Sequence, residues 1–471
     1  MVSFWVYDVA FMILFGIFAF VMLHRDRKNL KRQGWMFLYH TKVGIRLMQW
    51  GATKFEKILK PLSYVVIASG YVLMISIMWL ITRTVWTYVT LPIPDQLRNL
   101  PPIAPLIPYF PALFNLESIF PPLYFTYFLV AIAVITISHE FAHGLFAKLW
   151  KIKVKTTGFA FFGPFFGAFV EPDEKKMNVA PKKHQLSILA AGTFANIVMF
   201  VLFGLILWGF FAISFEPNGV IIGGYSQSIV NVSDIVKVGN YSVMSALSIP
   251  SLATAGLNKI TTSDGKTYYA SNNTLTSQII ENYPRLIVFD DAPAINNNVT
   301  GAITSINGQD VNTREDLSRI LSVLKPNQTV ELTTIDKQKQ TYNYQIRLDE
   351  RNGNAFVGIG FYNIQGEGFR GFMAKTIAKI KDPSLYYAAT WDGDFAQFIY
   401  DMLWWVVMIN ILVALMNMLP VSILDGGRFF YVTLLGITKS QKVSMNIYKL
   451  FGWFILALLA LMMGKWLVNL I

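Results

Sequence analysis

The pentapeptide His139-Glu140-Phe141-Ala142-His143 directly follows an apolar stretch, Pro121 to Ser138, that contains no charged residue. In a helix, the two histidines lie four residues apart on one face, where both imidazoles can bind one metal ion. Glu140 stands beside them, placed to take a proton from an attacking water. Ionisable side chains within a membrane segment are costly, so they indicate function. The pattern predicts a metal-dependent hydrolase working inside the bilayer.

The composition favours a membrane protein with one sizeable polar domain, because 54% of the 471 residues are hydrophobic and only 14% are charged. A net charge of +12 could suggest nucleic-acid binding. The basic residues instead cluster beside apolar runs, as the positive-inside rule describes, so we expect no nucleic-acid partner. Cysteine is absent, which excludes disulfides and thiolate ligands, and only five histidines are available as ligands.

Six apolar segments are long enough to span a bilayer, at about 4–23, 62–83, 121–141, 186–212, 396–419 and 446–470. The first lacks a basic n-region and a small-residue cleavage site, which favours a retained span over a signal peptide. Residues 24–60 contain ten Lys and Arg and residues 148–183 contain eight, whereas residues 92–120 contain only Arg98. This bias predicts that the two basic segments are cytoplasmic and that the motif lies toward the cytoplasmic end of its span.

Residues 213–370 are richer in Gly, Asn, Ser and Thr and show strand-like alternation, as in Gln328–Leu332. All five N-x-S/T sequons of the chain fall here, beginning at Asn231, Asn240, Asn272, Asn298 and Asn327. Their segregation agrees with a domain outside the cytoplasm. The Pro-rich segment 92–120 is either an interfacial element or an irregular loop packed on the bundle, and we prefer the loop.

A catalytic zinc usually has three protein ligands and one open position, so a third ligand is required. His184 is one candidate, but it lies in a lysine-rich segment. Asp425 is favoured because it follows Pro420 and precedes two glycines in a break within an apolar stretch. Irregular backbone at membrane depth is tolerated where it lines a cavity, and a carboxylate there needs a partner such as a cation. The alternative is that Asp425 only caps the next helix.

Two further segments could border the site. Asn196 is an amide within an apolar run and follows Ala191-Gly192. It could bind a substrate carbonyl or an oxyanion, or it could make an interhelical hydrogen bond. Gly158–Pro172 is aromatic and punctuated by glycine, which suits either a re-entrant hairpin that offers a strand edge to an extended substrate or an interfacial loop.

Four motifs in order, HEFAHG (139–144), GAFVEPDEKK (167–176), AGTFAN (191–196) and NMLPVSILDGG (417–427), resemble the site-2 protease family of intramembrane zinc metalloproteases. The resemblance covers about 121–437. It implies that His139, His143 and Asp425 bind zinc and that Glu140 is the catalytic base. It also implies that Asn196 and Asn417 lie near the substrate backbone. Thr193 departs from the proline that many relatives carry, which we expect to alter helix packing rather than chemistry.

Residues 291–317 resemble the second half of a PDZ domain, a domain often inserted at this point in the family. Asn307-Gly308 predicts a hairpin turn, and residues 313–324 predict a helix with Thr313 as its N-cap. Residues 219–224 could add a strand and a turn. Residues 239–285 are extra relative to a minimal PDZ domain.

We therefore expect a polytopic α-helical membrane protein with about six transmembrane helices and an inserted extracytoplasmic α+β PDZ-like domain. The predicted parts are an N-terminal two-span region (1–120), the catalytic core (121–212 and 396–437), the PDZ-like domain (213–370), a linker (371–395) that we interpret as a surface helix or a plain connection, and a C-terminal span (438–471).

The predicted function is zinc-dependent cleavage of transmembrane protein substrates in a prokaryotic cell membrane, with an archaeal origin as one option. The PDZ-like domain would control substrate access. The sequence identifies neither the substrate nor the oligomeric state. The alternatives are an inactive membrane scaffold that binds peptides, a metal transporter, and a membrane-tethered metalloprotease with a glutamate ligand on a soluble domain. The complete ligand set argues against the scaffold. Two histidines and one carboxylate on two spans do not make a translocation path, which argues against the transporter.

Overall fold

The computed structural model describes residues 4–25, 30–33, 36–90, 106–117, 120–162, 165–280, 283–336, 339–361, 378 and 381–470. The chain divides into two compact units. The first contains Met1–Phe211 and Asp394–Ile471, and the second contains Ala212–Gly393.

Helices are present in both units. They are α1 (Phe4–Arg25), α2 (Ile45–Lys54), α3 (Glu56–Thr90), α4 (Phe110–Leu113), α5 (Phe125–Leu149), α6 (Glu174–Val179), α7 (Lys182–Ser214), α8 (Ile249–Leu252), α9 (Asn272–Ile280), α10 (Pro293–Asn296), α11 (Arg314–Val323), α12 (Gly393–Asn417), α13 (Asp425–Thr438) and α14 (Gln441–Leu470).

The strands are β1 (Leu30–Gln33), β2 (Met36–Thr41), β3 (Val154–Phe162), β4 (Phe165–Pro172), β5 (Phe215–Ile221), β6 (Gly224–Tyr225), β7 (Gln227–Asn231), β8 (Ile235–Val238), β9 (Tyr241–Ser242), β10 (Leu257–Thr262), β11 (Thr267–Ser271), β12 (Arg285–Asp290), β13 (Ala302–Ile306), β14 (Gln309–Asp310), β15 (Thr329–Ile335), β16 (Thr341–Arg347), β17 (Asp349–Arg351), β18 (Asn354–Phe356), β19 (Ile359–Gly360) and β20 (Leu385–Ala389).

Six helices among the described residues are long and apolar enough to cross a membrane, namely α1, α3, α5, α7, α12 and α14. This agrees with the six predicted segments, but several predicted ends are wrong. The third segment begins at Phe125 rather than residue 121, because Tyr124 still has an extended backbone. It continues to Leu149 rather than ending at residue 141, so both motif histidines lie on one helix.

The N-terminus of α5 is held by a carboxylate from α1. Asp8 is 1% exposed. Its Oδ2 accepts hydrogen bonds from the Phe125 backbone N–H at 2.7 Å and the Tyr109 hydroxyl at 2.7 Å. Its Oδ1 accepts from the backbone N–H of Thr126 at 3.0 Å and from the Thr126 hydroxyl at 2.6 Å. Because Tyr124 makes no side-chain cap, Asp8 supplies the cap from another helix.

A four-stranded antiparallel sheet in the first unit has the order β1-β2-β3-β4. β3 and β4 form the hairpin predicted over Gly158–Pro172, with Gly158 paired to Phe169. A Cβ atom on Gly158 would lie 2.0 Å from the Tyr39 carbonyl oxygen, so only glycine fits against β2. β4 lies at one end of the strand order and packs on α5.

The second unit contains two separate apolar cores. One lies beneath a sheet of order β16-β15-β13-β5-β20 and includes Leu317 of α11. β6 and β19 form a separate two-stranded sheet. The other core belongs to a six-stranded antiparallel sheet of order β7-β12-β11-β10-β8-β9, covered by α8 and α9. The segment predicted as extra sequence, residues 239–285, therefore contributes three of the six strands (β9, β10 and β11) and both covering helices of a second sheet with a core of its own.

Local predictions in this unit are largely confirmed. Ile306 pairs with Gln309, so Asn307 and Gly308 form a two-residue hairpin turn, with positive φ values of 50° and 74°. Thr313 caps α11 and shares a capping box with Asp316.

The surface helix proposed within 371–395 is wrong over Leu385–Ala389, which form β20 against β5. Adjacent tyrosines favour a strand, and the edge of β5 offers backbone partners. Residues 371–377 of that proposal, and residues 92–105 of the Pro-rich segment, lie outside the described residues.

Candidate metal centre

The two motif histidines come from neighbouring turns of α5. His139 and His143 face the same side, and their ring centroids are 4.6 Å apart. Their side chains are only 8% and 11% exposed. The helix thus presents two imidazoles side by side within the helical core of the first unit.

Asp425, at the first residue of α13, completes a cluster of three donors. Its Oδ2 lies 3.0 Å from Nε2 of His139 and 3.2 Å from Nε2 of His143, and the two Nε2 atoms are 3.0 Å apart. These residues form a group able to hold a metal ion within the described part of the chain. The Asp425 carboxylate is 26% exposed, so the site opens on its side.

The turn between α12 and α13 brings Asp425 to the histidines. A Cβ atom on Gly426 would lie 2.3 Å from the Met418 carbonyl carbon, and one on Gly427 would lie 2.2 Å from the Val421 carbonyl oxygen. The chain can fold back this tightly only with glycine at both positions. Close approach of two backbone segments therefore explains the paired glycines that precede α13's second turn.

The hydrogen bond made by His143 determines which of its ring nitrogens can bind a metal ion. Its Nδ1 lies 2.7 Å from the Ile188 carbonyl oxygen of α7, which can only accept a hydrogen bond. Nδ1 therefore carries the proton, and in the neutral ring Nε2 presents a lone pair toward Asp425. A lone pair and a carboxylate oxygen 3.2 Å apart repel each other unless a cation or a proton lies between them.

Gly192 of α7 faces the two histidines at close range. A Cβ atom there would lie 2.4 Å from Nε2 of His143 and 2.5 Å from Nε2 of His139. It would therefore occupy space next to both donor nitrogens, where a bound ion must also lie. Gly192 was not predicted as a site residue, although its spacing of four residues from Asn196 places both on one face of a helix.

Glu140 is tied to the hairpin rather than to another helix. Its Oε2 accepts a hydrogen bond from the backbone N–H of Val170 in β4 at 2.8 Å. The Val170 N–H lies on the edge of β4 that faces away from β3, and there it is paired with the Glu140 side chain. This orientation places the carboxylate beside the donor cluster.

The remaining predicted site residues differ in position. Asn196 is fully buried, and its Nδ2 lies 3.2 Å from Nδ1 of His139. Asn417 ends α12 and, among the described residues, makes no hydrogen bond with the cluster. His184 lies outside the cluster and stacks on the Trp150 indole at 3.7 Å.

The donor set fits zinc. Two imidazole nitrogens and a carboxylate oxygen are common ligands of catalytic zinc, which keeps a further position open. In a tetrahedral zinc site the ligand atoms lie roughly 3.3–3.6 Å apart, only a few tenths of an ångström more than the 3.0–3.2 Å measured here. The space beside Gly192 that a Cβ would fill agrees with this fit.

Three potential ligands beside a glutamate, in a chain with six potential membrane helices, define a membrane metallopeptidase type of centre. The chain belongs to peptidase family M50, whose profile matches residues 127–461. M50 peptidases are in general zinc-dependent. The family resemblance drawn from the four motifs is thereby confirmed.

An uncharacterized protein of Methanocaldococcus jannaschii is 29% identical to this chain over 195 residues. The match covers 40% of this chain and 48% of the relative, so the chain spans about half the length of that curated relative.

Proposed function

We propose that this chain is a zinc metalloendopeptidase that hydrolyses peptide bonds within or next to transmembrane segments of substrate proteins. The observation that carries the proposal is the convergence of His139, His143 and Asp425 beside Glu140 in a membrane-type helical unit. Membership of family M50 supports the same activity.

Each residue would have one role. The two Nε2 atoms and the Asp425 Oδ2 would hold the ion. Bound zinc supplies a Lewis acid that activates water and polarises a carbonyl group near neutral pH. Glu140 would take the proton of the attacking water and deliver it to the leaving amine nitrogen. Because peptide carbonyls in a helix are hydrogen-bonded, the substrate segment would have to unwind before attack.

The test uses the full chain reconstituted in liposomes with a single-span substrate. Glu140→Gln should bind zinc but lose nearly all cleavage, because the proton acceptor is gone. Asp425→Ala should lose both zinc and cleavage. Glu174→Gln, at an exposed carboxylate paired with Arg428, is the matched control and should cleave normally. Full cleavage by Glu140→Gln would refute this mechanism, and wild-type zinc content in Asp425→Ala would remove it as a ligand. Peptide binding by a wild-type protein without cleavage would favour the scaffold alternative.

The orientation in the membrane belongs to the same proposal. The Lys and Arg bias places residues 148–183 in the cytoplasm and the second unit outside it. The absence of cysteine makes this directly testable. In intact cells, a membrane-impermeant maleimide should label Met244→Cys, a 93% exposed position, but not Lys153→Cys until the cells are opened. The reverse labelling pattern would invert the topology.

The second unit would act as a PDZ-like domain that controls which substrates reach the site. An apolar groove of about 190 Å³ lies between α11 and residues 355–361. These residues include β19, which pairs with β6 on the side away from the groove. A helix beside a strand is where PDZ domains add an extended peptide. The groove supports the PDZ-like interpretation.

Filling the groove tests this role. Ser318 is an exposed residue of α11 that lines the groove. Ser318→Trp should change the relative cleavage rates of a substrate with and without its outer domain, while leaving the shortened substrate unaffected. Identical rate ratios in the wild type and the variant would argue against control through this groove.

A further inference from the structure

α7 presents two residues to the histidines, Gly192 and, one turn later, Asn196. Asn196 is 0% exposed, so its amide depends entirely on protein partners. As placed, its Nδ2 faces Nδ1 of His139 at 3.2 Å, while its Oδ1 is buried with no hydrogen-bond partner among the described residues. An unpaired buried oxygen costs about 1–3 kcal/mol, so this arrangement calls for an explanation.

The position of the proton on the His139 ring determines how the Asn196 amide must be oriented. If Nε2 of His139 binds a metal ion, Nδ1 carries the ring proton and must donate it. An amide nitrogen at 3.2 Å is also a donor, so two N–H groups would then face each other. The oxygen and nitrogen of an asparagine amide have nearly the same shape, and their assignment follows the hydrogen-bond network. Turning the amide by half a turn places Oδ1 against Nδ1 and removes this clash of two donors, while Nδ2 takes the buried position that Oδ1 held, where it has no partner among the described residues.

We propose that Asn196 is a positioning residue of the metal centre, whose Oδ1 accepts the Nδ1–H of His139 and so directs the Nε2 lone pair toward Asp425. The Ile188 carbonyl does the same for His143 at 2.7 Å. α7 would thus orient both imidazoles, one through its backbone and one through a side chain. This inference rests on the proposed metal centre and develops the second of the two roles considered for Asn196, an interhelical hydrogen bond.

The test measures Co²⁺ binding by the full-length protein, independently of peptide cleavage. Asn196→Leu and Asn196→Ala remove the acceptor and should weaken Co²⁺ binding about 10-fold to 100-fold, as loss of such partners does elsewhere. Asn196→Asp keeps an acceptor oxygen and should bind Co²⁺ within a few-fold of the wild type. The absorption spectrum of bound Co²⁺ should change in the first two variants and persist in the third.

Two controls separate the possible failures. Asn410→Leu removes another fully buried amide, from α12, which bonds the Val406 carbonyl of its own helix. It should leave Co²⁺ affinity unchanged, and equal losses in Asn410→Leu and Asn196→Leu would attribute the effect to general packing. Asp425→Ala tests the centre itself and should abolish binding.

Wild-type affinity in both Asn196→Leu and Asn196→Ala, with loss in Asp425→Ala, would overturn the role of Asn196 and leave the metal centre intact. Wild-type affinity in Asp425→Ala would overturn the centre. Weak binding by a folded Asn196→Asp would show that an acceptor oxygen is not what His139 needs. If Asn196→Leu does not fold, Asn196→Ala, which adds no bulk, tests whether Asn196 positions His139.

Discussion

Two carboxylates from other helices contact α5, one at its N-terminus and one in its second half, and the two contacts differ in kind. At the N-terminus, Asp8 accepts four hydrogen bonds, from two backbone N–H groups and two hydroxyls. Toward the C-terminus, the Oδ2 atom of Asp425 faces the Nε2 atoms of His139 and His143. The first carboxylate is satisfied by donors, whereas the second faces a lone pair on at least one ring.

The difference teaches how to distinguish structural from functional acids in a membrane helix. A buried carboxylate with enough donors needs nothing more, although its presence in an apolar run first suggests function. A carboxylate opposite imidazole nitrogens is stable only with a cation or an added proton between them. Counting donors around each acid therefore separates Asp8 from Asp425, which sequence position alone does not.

The largest effect should come from exchanging the two acids for amides. Asp425→Asn removes the anionic ligand and should weaken zinc binding by more than the 10-fold to 100-fold typical of outer-shell changes. Asp8→Asn should leave the zinc affinity of the folded protein unchanged. Competition with a chromophoric chelator measures both. Equal zinc affinities in the two variants would break the proposed distinction.

A methyl group at position 192 tests the C-terminal end by sterics alone. Gly192→Ala places a Cβ atom 2.4 Å from Nε2 of His143, and overpacking of this kind costs about 1–3 kcal/mol. We expect zinc affinity to fall roughly 5-fold to 150-fold. Gly204→Ala, on the same helix with nothing within 4 Å, is the matched control. Unchanged zinc affinity in Gly192→Ala would place the ion elsewhere.

At the N-terminus of α5, a substitution should change the stability of the protein rather than its metal affinity. Asp8→Ala leaves four donors without their acceptor, at about 1–3 kcal/mol for each one that stays buried and unpaired. The thermal midpoint of the detergent-solubilised protein should drop clearly. Thr126→Val removes only the hydroxyl donor of that residue and should lower the midpoint less. A larger drop for Thr126→Val would contradict the cap.

In the second unit, the N-terminus of α11 is capped by a residue next to the helix in sequence, and loss of this cap should have a smaller effect. Its cap, Thr313, lies next to the helix, and Asp316 closes the capping box three residues later. Thr313→Ala should destabilise α11 by about 1 kcal/mol. Hydrogen exchange at the α11 amides measures this, with Ser322→Ala on the same helix as the control. No change in exchange would show that the cap is dispensable.

The smallest effect is a pH dependence of that cap. The hydrogen bond from the Thr313 hydroxyl holds the pKa of Asp316 below its usual value. A group with a depressed folded-state pKa stabilises at pH above its unfolded value and loses that contribution as pH falls through the folded value. Protection of α11 should therefore decline on acidification, and Asp316→Asn should remove this decline. An unchanged decline in Asp316→Asn would assign it to another group.

These caps also show what the sequence could predict. The Asn307-Gly308 turn and the Thr313 cap depend on residues within four positions of each other, and both were predictable. The meeting of Asp425 with the histidines spans 286 positions, and was predicted because histidines are scarce and four motifs resemble a family. That these three bind zinc stays a prediction.

Other long-range contacts left no sequence signal. The Asp8 carboxylate lies 117 positions from Phe125, and nothing local identifies its donors. The Val170 bond to Glu140 uses a backbone N–H, which carries no side-chain signature. β20 was misassigned because its strand depends on a partner, β5, far back in the chain.

The hydrogen bond between Glu140 and Val170 couples the position of the Glu140 carboxylate to the position of the β3–β4 hairpin. A backbone amide cannot rotate independently of its strand, so a displacement of β4 along its own axis pulls on the carboxylate or releases it. A peptide that pairs with β4 and shifts it would thereby change the position of the proton acceptor at the moment of docking. Such a peptide would therefore act on the proton acceptor as well as on the strand.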